Sequence, residues 1–136
     1  MKPTIDLAVI GAGPCGIAVG AAAAQAGTSA VLFDRGPLTA SLLDYPYYMT
    51  FFSTAQKLEI GGVPFTIPDS RPTRRDALAY YRRVVKHYDI DVRQYHAVTA
   101  VTRTADGFRL DIRKRDGSTL ETSARHVAVA IGGFHE

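Results

Sequence analysis

The stretch VIGAGPCGIAVG, residues 9–20, constrains the fold of this chain more than any other. It follows a short apolar run, Ile5 to Ile10, that is typical of a strand covered on both faces in a parallel sheet. Residues 14–26 are small and rich in alanine, which predicts a helix that stops at Gly27. A second apolar run, Ala30 to Phe33, predicts another buried strand. Strand, glycine turn, helix and strand within about thirty residues indicate a βαβ unit.

The glycines of this turn have the spacing Gly11-x-Gly13-x-x-Gly16. Gly11 permits a tight turn, Gly13 lets a diphosphate approach the backbone, and Gly16 allows helix and strand to pack closely. The start of the helix offers N–H groups and a partial positive charge to the phosphates. Asp34 ends the second strand, where a carboxylate accepts both ribose hydroxyls and repels a 2′-phosphate. The pattern therefore predicts a site for FAD or NAD, and not for NADP; a glycine-rich turn without a ligand is the alternative. The contacts expected from this unit are Gly11, Gly13, Pro14, Cys15, Gly16, Asp34 and Arg35.

The rest of the chain distinguishes FAD from NAD. Thr73 and Asp76 form a T-x-x-D capping signal at the start of an amphipathic helix. Residues 92–102 then read as extended, residues 108–113 alternate apolar and charged side chains, and Asp116-Gly117 is a hairpin signal before a short strand at residues 119–122. A last apolar run covers residues 127–131.

A simple dehydrogenase domain would continue with further βαβ units instead. The order found here looks like that of flavoproteins with two dinucleotide domains. We therefore predict an α/β fold, a Rossmann-like FAD-binding domain made of a βαβ unit, a helix, a three-stranded antiparallel meander and a return strand.

Composition argues against several other classes of protein. A net charge of +3 is too small to indicate a nucleic-acid partner. One cysteine allows no internal disulfide and no cysteine-rich zinc site, and the four histidines show no metal-ligand spacing, so we expect no metal. The most apolar stretch, residues 17–26, is too short to span a bilayer, and the N-terminus lacks the order of a signal peptide. We therefore expect a cytoplasmic protein that binds neither membranes nor nucleic acid.

Three stretches together resemble the bacillithiol disulfide reductase family: VIGAGPCGIAVG, MTFFSTAQKLEIGGVPF at residues 49–65, and RPTRRDALAYYRRVV at residues 71–85. Members of that family are thioredoxin-reductase-like flavoproteins that use FAD and NADPH. The resemblance implies an NADPH-dependent enzyme that reduces a low-molecular-weight thiol disulfide. Flavin-containing monooxygenases share the layout and are the alternative. The further cofactor contacts that the resemblance implies are Phe52, Ser53 and Thr54 near the flavin, the backbone of Val98 at the adenine, and Ala130 and Gly132 in a turn that closes over the nucleotide.

The resemblance also bears on the domain organisation. Members of the family carry a second glycine fingerprint for NADPH and then return to complete the FAD domain, and neither part is present in these 136 residues. We therefore expect residues 1–136 to be the first segment of an FAD-binding domain, catalytically incomplete alone, which self-associates through its incomplete sheet. A non-catalytic nucleotide-binding or assembly module remains an alternative.

Cys15 has two interpretations. A thiolate at a helix N-terminus is stabilised by the helix dipole, which favours attack on a disulfide, and Cys15 matches the position of the distinctive cysteine of the family. Against this, a bound diphosphate would place negative charge beside the thiolate, and no second cysteine is present to resolve a mixed disulfide. The other interpretation is a small residue that packs. We carry Cys15 forward as a candidate catalytic residue.

Overall fold

The protein, seen here in a computed structural model that describes residues 5–133, is built on one six-stranded mixed sheet. The strands lie in the order β3-β2-β1-β6-β5-β4. In chain order the elements are β1 (Ile5–Ile10), α1 (Pro14–Gln25), β2 (Ala30–Phe33), α2 (Ala40–Leu43), α3 (Ala55–Leu58), α4 (Arg74–Tyr88), β3 (Asp91–Arg93), β4 (His96–Thr104), β5 (Gly107–Lys114) and β6 (Thr119–Val129).

The βαβ unit predicted from the sequence is confirmed. β1 pairs in parallel with β2 on one side and with β6 on the other, and β2 pairs in parallel with β3. Val9 of β1 packs in a cluster that includes Ile17 of α1 and Val84 of α4, whereas the adjacent Ala8 belongs to a second cluster. Both residues are fully buried, which explains why this strand is apolar without alternation.

The antiparallel part of the sheet curls over the face that the helices leave uncovered. Leu110 and Ile112 of β5 pack in the same cluster as Val31 and Phe33 of β2. All four side chains are buried, and each such burial contributes about 1.5–3 kcal/mol. The meander therefore closes the second core of the domain.

One detail of the predicted topology differs from the structure. The third meander strand and the return strand are a single strand, β6, because residues 119–124 pair with β5 and residues 124–129 pair with β1. Ala124 is the point of change: it pairs antiparallel with Phe108 of β5 and parallel with Ile5 of β1. The predicted extended segment at residues 92–102 is likewise divided into β3 and β4 by Tyr95, whose φ is +57°. The predicted order of a βαβ unit, a helix, an antiparallel meander and a return to β1 is otherwise confirmed.

Helix α4 begins at the predicted capping signal. The Asp76 N–H donates to Thr73 Oγ1 over 3.2 Å, and the Thr73 N–H donates to Asp76 Oδ2 over 2.9 Å. The helix packs against α1 and contributes the buried Tyr80. The Tyr80 hydroxyl donates to the Val63 carbonyl over 2.6 Å and accepts from the Ile60 N–H over 2.9 Å. It thereby anchors the irregular segment that precedes α4.

Arginines of α4 and of the turn before it hold the remainder of this irregular segment. Arg74 donates to the carbonyls of Leu42 and Leu43, which end α2. Arg71 donates to the Phe52 carbonyl, and Arg83 donates to the carbonyl of Pro64. These contacts bind residues 42–64 to the helix although that stretch contains little regular structure.

Candidate dinucleotide-binding site

The glycine turn between β1 and α1 lies at the carboxyl ends of the parallel strands. The Gly11 N–H donates to the Phe33 carbonyl over 2.7 Å, and Gly11 has a φ of +116°. A Cβ atom on Gly11 would lie 2.1 Å from the Ala130 carbonyl oxygen, and one on Gly16 would lie 2.1 Å from the Gly11 oxygen. Packing of the turn against α1 and the end of β6 therefore requires glycine at both positions.

Gly13 has the opposite environment. Its φ of −82° and ψ of −173° are extended values that any residue adopts, and a Cβ atom placed on it would meet nothing within 4 Å. The fold itself therefore does not require glycine here. The open space in front of Gly13 is what a diphosphate approaching the backbone would occupy.

The N-terminus of α1 leaves its first amide groups available. Ile17 donates its N–H to the Gly13 carbonyl over 2.9 Å, and Pro14 has no N–H. In the described structure the N–H groups of Gly13, Cys15 and Gly16 donate to no protein acceptor. The first turn also carries no acidic side chain and no side-chain cap. Three free donors at the positive end of a twelve-residue helix, beside open space, suit a bound diphosphate.

The Asp34 carboxylate lies beside this turn. Its Oδ2 accepts the Ala12 N–H over 2.8 Å, and its Oδ1 accepts the Gly36 N–H over 2.8 Å. A carboxylate has about four acceptor sites, so two remain, as many as the two ribose hydroxyls need. The side chain is half-buried, and its backbone is fixed because the His96 N–H of β4 donates to the Asp34 carbonyl over 2.7 Å. A ribose 2′-phosphate at this position would face a fixed negative charge.

Three further predicted residues lie near this turn. Ala130 donates its N–H to the Ile10 carbonyl over 2.8 Å, which places it against the glycine turn. Gly132, at φ +86°, is exposed just beyond it, and Arg35 is exposed directly after Asp34.

Val98 is half-buried on β4, two residues after the contact between His96 and Asp34. A bulge follows Val98 in its pairing with β5. The position is compatible with an adenine on the edge of β4, and the contact itself stays a prediction.

Phe52, Ser53 and Thr54 are not joined to the glycine turn by any hydrogen bond in the described residues. Phe52 is 98% exposed, and Thr54 precedes the short helix α3. Their predicted place beside a flavin therefore stays a prediction. The exposure of Phe52 leaves its ring free to contact a ligand or another part of a protein.

Cys15 is exposed in the first turn of α1. Burial raises the pKa of Tyr81 on α4 to about 12, with smaller contributions from the neighbouring Tyr80 and from Cys15. The thiol is thus exposed on the helix that packs against α4. Both interpretations of Cys15, redox and packing, remain open at this position.

Sequence reasoning missed one residue that touches the turn. Thr39 is fully buried and donates its N–H to the Ala12 carbonyl over 2.9 Å. Its φ of +54° lies in the left-handed region, which β-branched residues rarely adopt, so no sequence pattern indicates this conformation.

Other features of the described residues lie apart from this site. A cavity of about 630 Å³ is lined by residues that begin β1, β2 and β3, among them Ile5, Ala30 and Asp91, and by none of the glycine turn. The free donors and the Asp34 carboxylate lie at the glycine turn and not at this cavity. Between residues 5 and 133, no three His, Cys, Asp or Glu side chains group as a metal site would need, and His135 lies outside that range. Nor does any helix in this range combine the length and apolar character needed to cross a bilayer.

Comparisons with known proteins agree with this geometry. Residues 8–136 match the family model described as pyridine nucleotide-disulphide oxidoreductase. Over 78 residues the chain is 44% identical to the bacilliredoxin reductase Bdr of Bacillus subtilis, covering 57% of this chain and 24% of that protein. The structure of the bacillithiol disulfide reductase Bdr from Bacillus cereus superposes with a TM-score of 0.91 at 35% identity, covering 94% of this chain and 40% of that one.

A flavin-containing monooxygenase from Stenotrophomonas maltophilia is also similar. Its TM-score is 0.78 at 27% identity, over 96% of this chain and 38% of that one. The chain thus spans between a quarter and two fifths of the length of these proteins. The similarity to Bdr is higher than that to the monooxygenase both in sequence and in structure.

Proposed function

The chain belongs to the pyridine nucleotide-disulphide oxidoreductase family, and on this premise we propose that residues 1–136 form the first segment of an FAD-binding domain. In the complete enzyme this domain would serve the NADPH-dependent reduction of a low-molecular-weight thiol disulfide. The proposal follows the relatives named disulfide reductases, which are more similar to this chain than the monooxygenase is.

One observation carries the proposal: three free backbone N–H groups and one carboxylate converge on the open space beside Gly13. The donors belong to Gly13, Cys15 and Gly16, and the carboxylate belongs to Asp34. Donors and acceptor are thus arranged for the two parts of an adenosine diphosphate, which are an anion and a vicinal diol. The residues present fit FAD on these grounds, because its dinucleotide half contains both parts.

Each residue of the site has a specific task in this proposal. The amides at the start of α1 bind the diphosphate, and the helix dipole favours its charge. Asp34 orients the ribose and disfavours a 2′-phosphate, so NADPH would have to bind elsewhere in the complete enzyme. Ala130 and Gly132 border the nucleotide, Val98 faces the adenine with its backbone, and Phe52, Ser53 and Thr54 border the flavin. Bound FAD would supply the hydride and electron transfer, while the protein supplies binding, orientation and electrostatics.

The direct experiment is a titration of the purified chain with FAD, followed by flavin fluorescence and visible absorbance. We expect saturable binding of FAD and, in parallel titrations, much weaker binding of NADP⁺, because its 2′-phosphate would meet the Asp34 carboxylate. Equal affinity for the two nucleotides, or no binding of FAD, would contradict the proposal.

A flavin monooxygenase is the second candidate, supported by the similarity to the Stenotrophomonas maltophilia enzyme. The two activities differ in their oxidant. A complete enzyme that consumes NADPH with a disulfide under anaerobic conditions is a disulfide reductase, whereas product formation that requires oxygen indicates a monooxygenase.

We further propose that the chain self-associates through β6. β5 pairs with β6 only as far as Ala124, and beyond it the described pairing of β6 is with β1 alone. Val129 and Ile131, at the end of this edge, are 69% and 51% exposed. A second copy would satisfy the edge and cover these side chains. Size-exclusion chromatography with light scattering tests this, and a monomer at all concentrations would contradict it.

A further inference from the structure

Thr39 stands out among the residues around the glycine turn. It is fully buried, and within residues 5–133 it is the one buried residue with a polar side chain apart from the tyrosines of α4. Its φ and ψ are 54° and 40°, the left-handed conformation, although its side chain is β-branched. Such a residue is a genuine conformational outlier, and outliers of this kind persist only where the surroundings hold them.

Two hydrogen bonds hold Thr39 in this conformation. Its Oγ1 donates to the carbonyl of the preceding Leu38 over 2.7 Å, and its N–H donates to the Ala12 carbonyl over 2.9 Å. The first bond is local and offsets part of the strain. The second connects the residue to the glycine turn.

The hydrogen bond from the Thr39 N–H to the Ala12 carbonyl determines the orientation of the peptide between Ala12 and Gly13. The Ala12 N–H is already held by Asp34 Oδ2, so both polar groups of Ala12 are fixed. In a trans peptide the C=O and the following N–H point in opposite directions. Because the Ala12 C=O points at the buried Thr39, the Gly13 N–H points away from it.

We propose that Thr39 is a positioning residue for the dinucleotide site: its left-handed backbone fixes the Ala12–Gly13 peptide so that the Gly13 N–H is oriented for the diphosphate before the ligand arrives. This inference rests on the proposed FAD site and extends it. Thr39 would not touch the cofactor, and it would act through the backbone of Ala12. Its contribution is preorganisation, which raises affinity by reducing the ordering that binding requires.

The test compares Thr39→Gly with Thr39→Ala in the full chain, with Thr39→Val as an isosteric third variant. Glycine adopts the left-handed conformation freely, whereas alanine and valine do not. We expect the glycine variant to bind FAD within about threefold of the parent, because it has no left-handed penalty for the lost hydroxyl bond to offset and gives up mainly chain stiffness. Alanine and valine carry the same left-handed penalty as threonine, but they lose the Oγ1 hydrogen bond to Leu38 that offsets it. They should therefore bind FAD roughly 5- to 10-fold more weakly than the parent.

A role in core packing alone predicts the reverse order. Valine would then match the parent, and glycine, which leaves the largest gap, would be the weakest binder. That order, or equal affinity for all variants, would overturn the proposal.

A second measurement separates this proposal from the proposed function. Amide hydrogen exchange by NMR on the ligand-free chain reports whether the residue-39 N–H is still bonded to Ala12. We expect protection in the parent and in Thr39→Gly, and loss of protection in Thr39→Ala. If the parent fails to bind FAD, the proposed function is wrong, and the exchange pattern alone decides whether Thr39 fixes the turn.

Discussion

Replacing Gly13 by valine provides the sharpest test of the glycine turn, because its three glycines have different environments. A Cβ atom at Gly13 meets nothing within 4 Å, and the backbone there is extended, a conformation that β-branched residues favour. The free energy of unfolding should therefore stay within about 1 kcal/mol of the parent, or rise slightly as the unfolded chain loses freedom.

The same substitution should severely weaken FAD binding. The isopropyl group would fill the space from which the diphosphate reaches the turn. A charge-assisted hydrogen bond contributes about 1.5–3 kcal/mol, so losing one corresponds to roughly 10- to 150-fold in the dissociation constant. A fluorescence titration with FAD measures the affinity, and thermal unfolding of the same samples measures stability.

Two further variants serve as controls. Ala22 is exposed further along α1, so Ala22→Val adds an isopropyl group to the same helix; it should leave FAD affinity unchanged and lower the free energy of unfolding by less than about 1 kcal/mol. Gly16→Val would place its Cβ 2.1 Å from the Gly11 carbonyl oxygen, a backbone atom, and should lower the free energy of unfolding by about 3 kcal/mol or more. A Gly13→Val protein that binds FAD as tightly as the parent would refute the reasoning.

Three other predictions concern residues around the site. Asp34→Ala leaves the Ala12 and Gly36 N–H groups without their acceptor and should lower the free energy of unfolding by about 2–4 kcal/mol. Urea unfolding measures this change, and an unchanged urea midpoint would argue against these two hydrogen bonds. If Cys15 is a redox residue, Cys15→Ala should abolish disulfide reduction by the complete enzyme and leave FAD affinity intact, and unchanged turnover would remove it from the chemistry. Because burial raises the pKa of Tyr81 from 10.0 to about 12, the unfolded chain releases this proton first as pH rises. The free energy of unfolding should therefore fall by about 2–3 kcal/mol between pH 10 and pH 12. Urea unfolding across that range should show a smaller decrease for Tyr81→Phe than for the parent. The same decrease in both proteins would contradict a raised pKa of Tyr81.

The sequence was most informative where local chemistry decides the structure. β1 and β2 have the predicted bounds, and α1 begins at Pro14 and ends within one residue of the predicted end. The capping box of Thr73 and Asp76 forms as predicted. In each case a few neighbouring residues determine the local structure by themselves, as when a glycine ends a strand or a hydroxyl caps a helix.

The parts that the sequence did not reveal depend on distant contacts. The continuity of β6 follows from pairing with β1 at one end and β5 at the other, which residues 119–129 alone do not encode. The left-handed conformation of Thr39 is held by its bond to Ala12, 27 positions earlier in the printed sequence. The resemblance to the reductase family predicts that Phe52 lies near a flavin, and the 98% exposure of this residue leaves that prediction untested by the fold.

The most direct test of the site is an NMR titration of the isotope-labelled chain with FAD. If the amides at the start of α1 hold the diphosphate, the largest chemical-shift changes will fall on Gly13, Cys15 and Gly16, accompanied by changes at Asp34. Shifts concentrated instead around the cavity lined by Ile5, Ala30 and Asp91, with the glycine turn unaffected, would contradict the account.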